Sequence, residues 1–236
     1  MKNKYYSLLV SGREADVYIF GDITSWEWME SDVSSYTLAR EINGLDVDYI
    51  NVHINSYGGE VAEGLAIYNM LKNHNAKIRT YCDGFACSVA SVIFMAGDER
   101  IMNNASMLMI HNAWTYAAGN AAELRKAADD LDIITQGAVA AYMSAVNITE
   151  EELKVMLDAE KWLLPQEALE MGFATSIIGA DNISEKAAAS AKKALFYIVK
   201  KSVYENCTEP QQQNSLQTEP QNKTLKFITA LSGRKE

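Results

Sequence analysis

The sequence predicts an α/β protein built on a mostly parallel sheet. Strand-like and helix-like stretches alternate along the first half of the chain, the pattern of βαβ units. Two strand ends run into turns of small residues, Gly58-Gly59 and the segment around Ser88. Ligands of such sheets bind at the carboxyl ends of the strands, so both turns fall where a site belongs.

Residues 6–10 and 15–20 read as strands around a hairpin turn, Ser11-Gly12-Arg13. Ser31-Asp32 offers an N-cap for a helix with Leu38 and Ile42 one turn apart, and Gly44 stops it. Residues 48–55 alternate, placing Ile50, Val52 and Ile54 on one face of a strand. Gly58-Gly59 ends that strand, and Glu60 opens a helix bearing Val61, Leu65, Tyr68 and Leu71. Residues 77–82 form the next strand, and a small-residue turn leads into an apolar helix over 88–97. Residues 100–103 and 107–111 are two further strands. Residues 120–146 make a long helix whose alanine-rich stripe suits contact with another helix, and so an oligomer interface. Thr149 caps the following helix, with Glu150, Glu151 and Glu152 in its first turn. Residues 167–171 read as a short helix and 173–178 as the last strand.

Composition divides the chain at about residue 180. Of its 21 basic and 31 acidic residues, 1–180 hold 12 and 25, whereas 181–236 hold 9 and 6. We expect one domain over 1–180 and a separate unit over 181–236. Within the latter, 184–204 reads as helical and the Gln-rich stretch 209–221 as disordered, while 225–231 is an apolar segment suited to docking. The net charge of −10 argues against nucleic acid as the main partner. Cys82, Cys87 and Cys207 have no metal-ligand spacing and fit a reducing compartment. The charged N-terminus has no apolar core, and no apolar run approaches ~18 residues. A cytoplasmic protein without membrane contact, metal or cofactor is expected.

The chemistry concentrates on three segments: Ile54-Asn55-Ser56-Tyr57-Gly58-Gly59, the run from Asp83 through Ser88 to Gly97, and Met107-Leu108-Met109-Ile110-His111. A serine hydroxyl is a poor nucleophile until a base takes its proton and donors hold the resulting oxyanion. At a helix start, Ser88 sits beside unpaired N–H groups and the positive end of the helix dipole. The N–H groups of Val89 and Gly59 are candidate oxyanion donors, at about 3 kcal/mol per donor in such sites. Glycine at 58 and 59 lets backbone approach a substrate with no side chain between. Read alone, Ser88 is a helix cap. Among three histidines, however, His111 alone ends an apolar strand, while His53 lies mid-strand and His74 in a polar turn. Asp158 and Glu160, just before Trp162, are the candidate carboxylates for orienting the imidazole, each otherwise a surface acid. Cys87 is the neighbouring rival nucleophile, and Ser91, one turn on, reads as packing.

These segments, together with Glu167-Ala168-Leu169-Glu170-Met171-Gly172-Phe173, occur in an order and spacing that resembles the Clp protease proteolytic subunit. The pattern is closer still to its phage and prophage relatives used in head maturation, and covers about residues 16–178. The resemblance implies an α/β superhelix of the Clp/crotonase type, built of ββα units with 120–146 as the handle helix. It also implies a serine endopeptidase with Ser88 as nucleophile, His111 as base, and Gly58, Gly59 and Val89 around the oxyanion. Glu160 takes the acid's place and Asp158 is the fallback. A ring-shaped homo-oligomer, often two stacked heptamers, goes with that family. So does a protein substrate, here a scaffold or capsid protein. Tyr57 stands where the housekeeping subunit has proline, the tail beyond 181 has no counterpart there, and no surface matching an ATPase unfoldase is identified. ATP-independent cleavage is therefore expected. Two other classes compete: a catalytically silent assembly subunit, and crotonase-like acyl-CoA chemistry, which also uses paired backbone N–H groups.

Overall fold

The computed structural model describes residues 8–179 apart from Trp28 and Glu30. The expected boundary near 180, the tail elements and Cys207 lie outside these residues. The hairpin forms as read: β1 (Leu8–Ser11) and β2 (Glu14–Ile19) pair antiparallel around Gly12. Parallel pairing then runs from β2 to β3 (Tyr49–Ser56), β4 (Lys77–Cys87), β5 (Glu99–Asn103) and finally β8 (Ser176–Ile178). The α/β superhelix expectation holds.

β4 departs from the sequence reading. In place of a strand ending at Cys82 and a turn, it continues to Cys87. Its first part, Arg79–Cys82, pairs with β5, whereas Phe85–Cys87 pairs with β6 (Met107–Ile110). The crossover between partners comes where the β3–β4 register shifts, between Ile54 and Ser56. There Asn55 Oδ1 accepts the Phe85 N–H at 3.1 Å, replacing a ladder bond. Gly84 makes room for it: a Cβ on Gly84 would meet that same oxygen at 2.5 Å. So the small residues read as a turn serve a bulged strand.

One face of the sheet is apolar, with Val17, Ile19, Ile50, Val52 and Ile54 fully buried beneath the helices. Helix α1 (Ser35–Ile42) buries Leu38 and Ile42 as expected. Its cap is Ser34, whose Oγ accepts the Thr37 N–H at 3.2 Å, and not Ser31-Asp32. Asp32 instead accepts the Met29 N–H at 2.8 Å inside the preceding loop. Helix α2 (Val61–Lys72) buries Gly64, Ile67 and Leu71, a face rotated from the one expected. Gly64 is the cause: a Cβ there would strike the Val89 side chain, so the following helix docks into that notch. That helix, α3 (Val89–Phe94), is buried at every position.

Helix α4 (Ala121–Met143) begins in a capping box between Asn120 and Glu123 and is buried only toward its end, at Val139, Ala141 and Tyr142. Leu124, Ile133 and Ile134 are exposed on it. Helix α5 (Glu150–Asp158) is capped by Thr149 and Glu152 as predicted. Next comes β7 (Lys161–Leu163), antiparallel to β6; three residues were too few for a periodic signal. Helix α6 (Pro165–Glu170) starts on a proline, which suits the first helical position. Phe173 precedes β8 as a buried core residue, and the Arg100 guanidinium donates to the Phe173 and Gly172 carbonyls at 2.8 and 3.2 Å. Among the described residues, no helix is long and apolar enough to cross a membrane.

Candidate active site

Ser88 joins β4 to α3 in a backbone conformation that L-residues seldom adopt, φ +54°, ψ −130°. Such strain costs about 1–3 kcal/mol and persists only where the surroundings over-determine it. Here both of its backbone groups are held. The Ser88 N–H donates to Met109 C=O at 2.8 Å, and Ser88 C=O accepts the Ser91 N–H at 3.0 Å and the Ser91 hydroxyl at 2.6 Å. The side chain makes no capping bond to its helix, which removes the reading of Ser88 as a mere N-cap. Its Oγ lies 2.7 Å from His111 Nε2 instead.

Strand register brings these two together. Cys87 pairs with Met109 in the β4–β6 ladder, so Ser88 and His111 leave neighbouring strand ends side by side. With the imidazole proton on Nδ1, Nε2 accepts from the serine hydroxyl, the arrangement a general base requires. His111 is half-buried, and desolvation holds its pKa below the ordinary 6.5, against an opposing pull from Glu160. Burial therefore favours the neutral ring.

Glu160 reaches that ring through space, without a hydrogen bond to it. It has φ +47° and lies between the end of α5 and β7, its N–H donating to Leu157 C=O at 3.1 Å. Asp158 is engaged elsewhere: its carboxylate accepts the Asn112 amide at 2.7 Å, tying the residue after His111 to the end of α5. Of the two carboxylates, the structure brings Glu160 into electrostatic contact with the base.

The two glycines divide their work. Gly58, at φ +101°, backs directly onto the serine turn. A Cβ there would lie 2.7 Å from Cys87 C=O, 2.8 Å from Ser88 Cβ and 3.2 Å from the Val89 nitrogen. Absence of that side chain leaves the Val89 N–H, unpaired at a helix start, open. The Gly58 N–H donates to Ser56 Oγ at 3.0 Å, and Ser56 Oγ donates to Gly21 C=O at 2.6 Å. Gly59, at φ +149°, lies against the Ile23 carbonyl. Backbone bonds from Ile23 N–H to Gly58 C=O (2.9 Å) and from Glu60 N–H to Ile23 C=O (2.8 Å) clamp the pair from behind.

Cys87 is buried at the end of β4, and burial pushes its thiol up to about 12, far from the thiolate a nucleophile needs. His53 is stacked between Tyr18 and Tyr81, ring centroids at 4.8 and 4.7 Å, with Nδ1 on Asp83 at 2.8 Å. His74 caps its own turn through the Ala76 N–H. Tyr57 is exposed, edge-on to Phe85, which in turn meets Trp162. Ser56, Asn112 and Tyr142 were missed in the sequence, and Ser91, read there as packing, has its hydroxyl 2.7 Å from that of Tyr142. Only contact across elements reveals them. Among the described residues no cluster of three or more His, Cys, Asp or Glu is gathered as metal ligands.

The Clp protease family model matches residues 13–181. The ATP-dependent Clp protease proteolytic subunit of Deinococcus radiodurans is 33% identical over 131 residues, 55% of this chain and 64% of its own length. The subunit of the same name from Borrelia garinii subsp. bavariensis is 25% identical over 179 residues, 73% of this chain and 88% of its own. The chain thus spans just under two thirds of the Deinococcus relative. The family match takes in Gly58, Ser88, His111 and Glu160 and ends just past β8. With the fold and the serine turn, it establishes that this chain belongs to the Clp protease family.

Proposed function

We propose that this chain is an ATP-independent serine endopeptidase of the Clp type, cutting scaffold or capsid protein segments during prohead maturation. The observation that carries the reading is the 2.7 Å hydrogen bond between His111 Nε2 and the hydroxyl of a strained Ser88. In the proposed cycle, Ser88 Oγ attacks the scissile carbonyl as His111 takes its proton. The N–H groups of Val89 and Gly59 receive the oxyanion. The imidazolium, stabilised by Glu160, then protonates the leaving amine, and water releases the acyl group by the same steps in reverse. Asp158 acts indirectly in this scheme, through Asn112.

The capsid substrate and the cytoplasmic, ring-shaped homo-oligomer of stacked heptamers follow from the resemblance in the four motifs. Exposed Leu124, Ile133 and Ile134 on α4 support a handle that meets other subunits. Both relatives are named as ATP-dependent; we propose that this chain works without ATP.

The test is reaction of the purified protein with a fluorophosphonate, mapped by mass spectrometry, beside Ser88→Ala and His111→Ala. Labelling at Ser88 that both variants lose is expected. A correctly assembled sample that no probe labels would instead favour a silent assembly subunit, the reading to which a carboxylate without a hydrogen bond to His111 points.

A further inference from the structure

Ser91 and Tyr142 stand outside the proposed triad, yet both are buried and carry hydroxyls, and Ser91 touches the nucleophile's own backbone. Buried hydroxyls are costly unless bonded, so where their protons go is informative. The Ser91 hydroxyl donates to Ser88 C=O at 2.6 Å, which uses its only proton. Tyr142 Oη, 2.7 Å from Ser91 Oγ, must then be the donor of that pair. The result is a directed chain from Tyr142 to Ser91 to Ser88 C=O, running from the last turn of α4 to the serine turn.

The carbonyl it ends on belongs to the Ser88–Val89 peptide. A trans peptide is planar, with its N–H pointing opposite to its C=O. Holding the carbonyl therefore fixes the direction of the Val89 N–H. Donation to a carbonyl also polarises the amide and strengthens its N–H as a donor. The peptide needs such an anchor, because it adjoins a residue at φ +54°, ψ −130° that would relax by rotating it.

We propose that Ser91 and Tyr142 are positioning residues that orient the Ser88–Val89 peptide and thereby the oxyanion donor on Val89. The proposal rests on the peptidase reading above. It takes Ser91 from packing to function, and makes the end of α4 part of the catalytic frame.

The experiment uses the full chain with Ser91→Ala, Tyr142→Phe and the double variant. Readouts are kcat and KM on a fluorogenic peptide amide, inhibition by a peptidyl boronate whose tetrahedral adduct engages the oxyanion donors, and Tm. Each single variant should lose about tenfold in kcat, less than the 10²–10³ that outright removal of a donor costs. KM should stay within about twofold, and boronate affinity should fall by the same factor as kcat. Ser91→Ala leaves the Tyr142 hydroxyl buried without a partner; the double variant removes it. Tm should therefore recover in the double variant while kcat does not. Activity that recovers with Tm, or stays within twofold of the parent in both single variants, would overturn the positioning role. A parent protein that fluorophosphonate does not label at Ser88 refutes the peptidase reading itself and takes this inference with it.

Discussion

Gly58→Ala tests the packing of the serine turn and the openness of the proposed oxyanion site in one substitution. The glycine has φ +101°, so alanine meets backbone strain of about 1–3 kcal/mol before any contact is considered. Its methyl would also lie 2.7 Å from Cys87 C=O and 2.8 Å from Ser88 Cβ. Ordinary carbon contacts lie at about 3.5–4.0 Å, so the turn must move by most of an ångström. Overpacking of that kind costs about 1–3 kcal/mol. Together the two effects predict a loss of about 2–6 kcal/mol, or ~4–24 °C in Tm for a domain of this size. Gly12→Ala is the control: φ is +64°, but nothing lies within 4 Å of the added carbon, so only strain remains. The catalytic effect should exceed the structural one. A methyl 3.2 Å from the Val89 nitrogen would crowd the proposed oxyanion donor, which predicts a loss of about 10²–10³ in the labelling rate at Ser88. Guanidinium melts followed by circular dichroism and fluorophosphonate kinetics read the two effects separately. Gly58→Ala that melts like Gly12→Ala, or labels at the parent rate, would refute the reasoning.

Ser88→Gly should be more stable than Ser88→Ala in denaturant melts, by about 1 kcal/mol, because only glycine relieves the positive φ. Activity should fall on the acid side at a pH below 6.5, since the base works only when neutral and burial lowers the His111 pKa. Glu160→Gln removes the group that raises that pKa, so the limb of the kcat/KM profile should move to still lower pH while the plateau falls. Asp158→Asn should leave the limb in place. Thr149→Ala should cost about 1 kcal/mol in thermal melts by removing the cap of α5, without changing the labelling rate.

The hairpin, the parallel strands and the cap of α5 were readable because each rests on local signals: a glycine turn, a two-residue period, a threonine placed three residues before a glutamate. Ser88 and His111 were readable for a related reason, since strand ends in a parallel sheet converge. What escaped depends on distant partners. β4 runs five residues beyond Cys82 because Asn55, on another strand, supplies a bond at the bulge. β7 is a strand only because β6 accepts it. Ser91 was read as packing because a serine on a buried helix face gives no sign, in sequence, of a tyrosine 51 positions away. The α2 face was misjudged because a glycine can itself be the contact.

The β4–β6 ladder also makes reactivity a report on folding. Side chains alternate along a strand, so a slip of one residue in β6 would turn His111 away from Ser88 and send Met109 and Ile110 to the wrong faces. The anchoring bond from Ser88 N–H to Met109 C=O would break in the same slip. A partly folded or misregistered chain therefore lacks the Ser88–His111 hydrogen bond on which the proposed attack depends. Stoichiometric labelling of Ser88 would then count the molecules whose sheet has closed in register, a direct titration of native protein in any refolding or assembly mixture.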